Sequence, residues 1–444
     1  MNLPHYSTHT LSTAQGKLTY RAYRNIPYVK HPVSHLQVLH IFVPEGYYHG
    51  ERIGRYDASN APVFFPNAVG GYMEAAPCEV TVDQNGIPDG QAAALLHGLV
   101  VISAGARGRT TQSTDGSYIG KAPADIVDLK AAVRFIHALP DEIPGDKQCI
   151  ISNGTSAGGA MSALLGASGD AAEYEPYLKE LGAAEGSDKI YAASCYCPII
   201  NLEHADAAYE WQYGDLTASY GWTGEPQSHT MEQKRYAKEL AAQFPAYVNS
   251  LELKLDGRAL TLADNGEGSF AEYIKSLVLD SAREAAEYGI DIPAQSGISL
   301  CAGTVDFAKY CAFITRMKTP PAFDSVELVT AENELFGTET EFVRHFTEYA
   351  AQNSVKGGNL APKEQIALMN PMNFAGGAGT VQYWRIRHGA ADRDTSFAMS
   401  AMLALRLWEA GCDVDYKLPW GIPHAGNYDL KELFAWIDRV AALR

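Results

Sequence analysis

Between residues 38 and 200, short apolar runs alternate with amphipathic stretches, the pattern of buried strands joined by helices. Val38 to Pro44, Ala61 to Pro66, Leu99 to Ser103, Lys147 to Ser152 and Tyr191 to Ile199 read as strands. Gln91 to Leu96 predicts a short helix. Ile126, Leu129, Val133 and Ile136 recur at helical spacing, in a helix opened by Pro123 and stopped by Pro140. From residue 201 to 369 the pattern changes. Strand signals become few, and Met231 to Leu253, Ala271 to Tyr288 and Thr340 to Gln352 predict long amphipathic helices. The alternation resumes with a strand over Val381 to Arg387. Next come a helix capped by Thr395 or Ser396 and ended by Gly411, and a strand over Asp413 to Leu418. Asp429 caps a closing helix with Leu430, Leu433, Phe434, Ile437 and Val440 on its apolar face. A sheet left and then re-entered predicts one α/β core domain built from 1–200 and 370–444. The segment 201–369 is then an inserted, mostly helical cap over the carboxyl ends of the strands, where open α/β sheets bind ligands.

Composition narrows the class. With 444 residues, 46% of them hydrophobic, the chain can bury a sizeable core. A net charge of -17 argues against nucleic acid and anionic membrane surfaces as partners. No run approaches the ~18 apolar residues of a membrane span, and Met1 to Tyr20 is mixed and polar, without the pattern of a signal peptide. Seven scattered cysteines fit reduced thiols and predict a cytoplasmic protein. Cys195 and Cys197 lack zinc-like spacing and lie in an apolar run, so they are expected in the core, and no metal is expected.

The chemistry starts at NGTSAGGA, residues 153–160, where a strand ends and a helix of small residues begins. This is the form of a nucleophile elbow, with Ser156 on a sharp strand-to-helix turn and Gly154, Gly158 and Gly159 giving clearance. A serine hydroxyl needs a base, and the base needs a carboxylate. After the cap, His388 and His424 are the candidate bases. His424 lies in the loop after the last strand, where an α/β-hydrolase places its histidine, whereas His388 ends the preceding strand, where the acid belongs. Asp392 and Asp394 both lie on that acid loop, and spacing does not choose between them. For the oxyanion, the backbone N–H of Ala157 and one from the glycine pair after the Ala61 strand, Gly71, are the expected donors.

The chain resembles the bacterial tannases, tannin acyl hydrolases of the α/β-hydrolase fold, over nearly its whole length. The resemblance is carried by NAVGGY at 67–72, ARGRTT at 106–111, NGTSAGGA, NLEHAD at 201–206 and TRMK at 315–318. PAFD at 321–324, RIRHGAADRDTSF at 385–397 and PWGIPH at 419–424 extend it. It implies a triad of Ser156, Asp392 and His424, with Gly71 and Ala157 at the oxyanion hole. It also implies that Lys318, Glu332 and Asp394 bind the hydroxyls of a galloyl ring, with Ile199 as an apolar wall. Residue by residue, Lys318 and Glu332 read only as solvated charges, and Ala331 stands where the resemblance leads one to expect proline. The implied activity is hydrolysis of galloyl esters through an acyl-enzyme, with no cofactor and a small phenolic ester as the partner. Esters of other plant phenolics, ferulates or protocatechuates, are the alternative substrates.

Overall fold

The structure is a computed structural model that describes residues 5–221 and 224–444. The first four positions of the expected core domain, and 222–223 of the expected cap, lie outside the described residues. Nine strands form one sheet. They are β1 (Ser7–Thr13), β2 (Gly16–Pro27), β3 (Val38–Pro44), β4 (Pro62–Pro66), β5 (Val100–Ala104), β6 (Asp146–Thr155), β7 (Ala192–Tyr196), β8 (Tyr383–Arg387) and β9 (Asp413–Lys417). Their order is β1-β2-β3-β5-β4-β6-β7-β8-β9. The first three pairings are antiparallel and all those from β5 to β9 are parallel. Every residue of β4, β5 and β7 is buried, as strands covered on both faces require.

The helices joining these strands follow the apolar spacing. They are α1 (Gly90–His97), α2 (Ala124–His137) and α3 (Ala157–Ala167), with α4 (Glu175–Glu180) before β7. Between β7 and β8 the described chain adds no strand to this sheet. It forms α5 (Leu202–Tyr213), α6 (Met231–Ala241), α7 (Phe244–Ser250), α8 (Ser269–Glu287), α9 (Phe307–Ile314), α10 (Ala331–Leu335), α11 (Glu348–Gln352) and α12 (Lys363–Leu368), with three two-stranded ribbons. The two ends of this stretch are tied together, since Asn370 Nδ2 donates to Asn201 Oδ1 at 3.0 Å and to Glu203 Oε1 at 2.9 Å. The chain closes with α13 (Phe397–Glu409), capped by Ser396, and α14 (Leu430–Ala441).

Three expectations are corrected. Met231 to Leu253 is two helices, because Pro245 lacks an N–H and is suited to the first turn of α7 rather than the interior of one long helix. Of Thr340 to Gln352 only Glu348–Gln352 is helical. The buried carboxylate of Asp324 takes the N–H groups of Phe346 and Thr347, at 2.8 and 2.7 Å, and holds them out of a helix. Asp429 stands at the start of α14 without capping it, its carboxylate taken by the Tyr196 hydroxyl and Arg385. The segment before Val38, polar on its face, contains β1 and β2. The first of these has no buried residue, and so carries no apolar signature.

Candidate active site

Ser156 follows β6 directly and has φ 63° and ψ −124°. A non-glycine residue held there is strained, and strain of this kind persists only where the surroundings enforce it. The surroundings are the glycines. A Cβ on Gly154 would lie 2.1 Å from the Gly158 carbonyl oxygen, one on Gly158 2.6 Å from Asn67 Oδ1, and one on Gly159 2.5 Å from the Tyr196 oxygen. The turn is pinned by Ser156 N–H to Tyr196 O at 3.0 Å and Ile199 N–H to Ser156 O at 3.2 Å. The residues that follow open α3, whose first N–H groups have no partner within the helix.

Three loops at the carboxyl ends of neighbouring strands meet at this serine. His424, after β9, has Nε2 2.9 Å from Ser156 Oγ and Nδ1 2.7 Å from Asp392 Oδ2. Asp392, after β8, is fully buried, and its Oδ1 accepts the Asp394 N–H at 2.7 Å. Burial alone would raise the Asp392 carboxyl, but the adjoining His424 outweighs it and holds the carboxyl below its usual range. Burial likewise opposes the imidazolium of His424, and the charge and hydrogen bond of Asp392 outweigh it, so His424 is raised. A line of hydroxyl, imidazole and carboxylate with this polarity can move a proton from oxygen to nitrogen and stabilise the resulting cation.

A cavity of about 620 Å³ opens above the serine, lined by Gly71, Ala157, Ile199, Lys318, Glu332, Asp394 and His424 among others. Lys318 Nζ lies 3.0 Å from Asp394 Oδ1 and 3.8 Å from the centre of the Phe323 ring. Burial works against the Lys318 cation, but Asp394 and Glu332 outweigh it and raise its pKa. Glu332 is 8% exposed, and burial raises its carboxyl against the pull of Lys318. The structure thus brings every residue expected at the site to one cavity or, for Asp392, directly behind it.

A family model described as BD-FAE matches residues 113–242, the stretch that carries Ser156. Comparison with curated protein sequences gives no match. Among solved structures, the tannase of Fusobacterium nucleatum is 43% identical, covers 99% of this chain and of its own, and superposes with a TM-score of 0.94. The chain belongs to the tannase family. Two further members are solved as tannin acyl hydrolase in complex with ethyl gallate and with 3,4-dihydroxybenzoate. They are 44% and 43% identical, each covers 98% of this chain and 97% of its own, and the TM-scores are 0.94 and 0.93. As a tannase-family member, the protein is a carboxylic ester hydrolase.

The family motifs outside the elbow turn out to be the scaffold of the charged residues. In TRMK, Arg316 is fully buried against Glu210 of α5, with two hydrogen bonds of 2.8 and 2.7 Å. The Tyr209 hydroxyl accepts the N–H of Lys318 at 3.1 Å. In NLEHAD, Asp206 accepts the N–H groups of Phe323 and Asp324 at 2.8 and 2.9 Å. Asp324 in turn accepts from Asn333 Nδ2 at 2.7 Å, and Asn333 with Thr330 forms the capping box of α10. That cap starts the turn carrying Glu332 with Ala331, rather than proline, at its first position. Two further residues, His388 weighed as a base and Cys197 expected in the core, stand beside the triad. His388, fully buried, sets Nε2 3.4 Å from Asp392 Oδ2 and Nδ1 2.8 Å from Ser400 Oγ. Cys197, expected only as core, is buried and places Sγ 4.0 Å from His424 Nε2. Only the left-handed φ of Cys197, invisible in sequence, sets it apart.

Proposed function

We propose that the protein hydrolyses galloyl esters through an acyl-enzyme on Ser156. The observation that carries this reading is the Ser156–His424–Asp392 line at the floor of a cavity walled by Lys318, Glu332 and Asp394. Ser156 Oγ attacks the ester carbonyl carbon while His424 Nε2 takes its proton. The carbonyl oxygen becomes an oxyanion, met by the N–H groups of Gly71 and Ala157. The tetrahedral intermediate collapses, and His424 gives the proton to the departing alcohol. Water then enters, His424 takes one of its protons, and gallate leaves as Ser156 recovers its own.

The ring pocket supplies the selectivity. Adjacent phenols both donate and accept, so two carboxylates and an ammonium group can satisfy them. An unsubstituted benzoate would desolvate the Lys318–Asp394 pair and Glu332 without offering them hydrogen bonds. Ile199 presents an apolar wall. The residues between β7 and β8 act as a cap, the unit 201–369 on a core of 1–200 and 370–444, and contribute Lys318 and Glu332. Esters of 3,4-dihydroxybenzoic acid are a second substrate class, favoured by the relative solved with that acid. No described helix is long and apolar enough to cross a membrane. Free cysteines, with Cys301 exposed among them, support a cytoplasmic setting.

The test is a comparison of methyl gallate with methyl benzoate, using the native protein, Ser156→Ala and Lys318→Ala. The reading expects strong preference for the gallate, loss of both activities in the first variant, and loss of the preference in the second. Equal rates on the two esters, with Lys318→Ala harmless, would remove the galloyl assignment.

A further inference from the structure

The ARGRTT motif holds a residue that the reaction has not used. Arg109 grips two successive peptides of the turn that bears Gly71. Its main-chain N–H donates to the Tyr72 oxygen at 2.8 Å, and its side-chain Nε donates to the Gly71 oxygen at 2.8 Å. The same guanidinium is ion-paired with Glu334. Glu334 belongs to α10, two residues beyond Glu332. Lys121 reinforces the junction, its Nζ donating to the main-chain oxygens of Arg109, Glu334 and Phe342 at 2.6, 2.9 and 2.9 Å.

The turn is closed by the Met73 N–H on the Gly70 oxygen at 3.0 Å, and Arg109 holds it from outside. Gly71 and Tyr72 both have left-handed backbones, with φ 53° and 56°. The tyrosine there is strained, and a glycine beside it can swing its peptide planes at little cost. The buried Tyr72 hydroxyl, donating to the Ile199 oxygen at 2.6 Å, anchors the far side. Gly71 lines the cavity beside Ser156, and among the described residues no main-chain acceptor takes its N–H. An oxyanion donor acts through its aim, because only a donor already in place stabilises charge without reorganising.

We propose that Arg109 is a positioning residue that aims the Gly71 N–H at the developing oxyanion. Through Glu334 it makes that aim depend on the seating of α10. The proposal rests on the acyl-enzyme reading above. It places the oxyanion donor and the carboxylate of Glu332 at two ends of one ion-paired connection. Loss of Arg109 therefore harms transition-state binding for any acyl group, with or without a phenolic ring.

Arg109→Met and Glu334→Gln in the full-length chain test it, with active Ser156 titrated by a fluorophosphonate. For Arg109→Met, kcat per titrated site falls about 10- to 100-fold on both methyl gallate and p-nitrophenyl acetate. The affinity for phenylboronic acid, whose tetrahedral serine adduct mimics the intermediate, falls in step, while the inhibition constant of gallate stays within about threefold. Arg109→Lys keeps a charge facing Glu334 but loses the Nε contact, and is expected to resemble Arg109→Met. Glu334→Gln gives a smaller parallel fall, and it carries the test if Arg109→Met does not fold. Unchanged boronate affinity, or a loss confined to gallate binding and methyl gallate turnover, would overturn the proposal. Ser156→Ala separates the two levels. If it stays active, the acyl-enzyme reading fails. If it is dead while Arg109→Met keeps its boronate affinity, only the role of Arg109 fails.

Discussion

Replacing Asp392 by asparagine perturbs the proposed proton path with little change of shape. Asp392 Oδ1 accepts the Asp394 N–H at 2.7 Å, and Oδ2 faces His424 Nδ1 at 2.7 Å. An asparagine must keep its oxygen toward Asp394, because an amide nitrogen there would face another donor. Its NH2 is thereby turned to His424 Nδ1, which must then accept. The proton moves to Nε2, the atom 2.9 Å from Ser156 Oγ, and the ring can no longer take the serine proton. A wrong tautomer of this kind costs about 10⁴ in kcat, equivalent to about 5 kcal/mol of barrier. KM for methyl gallate should change little, because Asp392 lies behind the cavity and does not line it. The pH profile has a definite sign. The reaction needs neutral His424, whose pKa Asp392 raises. Without that charge the pKa falls, so the acid limb of kcat/KM moves to lower pH in the variant. The assay is a kcat/KM profile per titrated serine, with the fold checked by thermal denaturation. A fall of less than tenfold, or an acid limb moved upward, would refute the reasoning.

Three further outcomes are expected. Lys318→Met leaves the carboxylates of Asp394 and Glu332 without their cation, so kcat/KM for methyl gallate drops about 10- to 100-fold while methyl benzoate is nearly unaffected. Comparing the two esters in one preparation reads this directly. Gly158→Ala puts a methyl 2.6 Å from Asn67 Oδ1 and 2.8 Å from the Val69 oxygen, and should lower unfolding free energy by about 1–3 kcal/mol in urea. Arg316→Met strands the buried Glu210 carboxylate and should cost about 3–5 kcal/mol, much of it recovered by adding Glu210→Gln.

How far residues alone reveal such a site depends on whether its constraint is local. The elbow was legible because the sharp turn at Ser156 needs clearance from its own neighbours, and Gly154, Gly158 and Gly159 leave that mark within six positions. The parallel strands were legible because burial on both faces demands continuous apolar runs. Lys318 and Glu332 were not readable residue by residue. Their burial depends on Asp206, Tyr209 and Asp324 reaching across distant segments, which no spacing encodes. Resemblance to a family supplied them instead. Asp429 misled for a related reason, since a carboxylate at a helix start usually caps it, and here the buried Arg385 takes it. Strand β1 stayed hidden because an exposed strand has no apolar face to show.

The central claim is that Ser156 carries the acyl group, and capture of that intermediate tests it most directly. Methyl gallate at saturating concentration is mixed rapidly with the native enzyme, quenched in acid during turnover, digested and analysed by mass spectrometry. The account predicts a gain of one galloyl group on the peptide containing Ser156, absent in Ser156→Ala. A galloyl group on another residue, or full hydrolysis by Ser156→Ala, would contradict it.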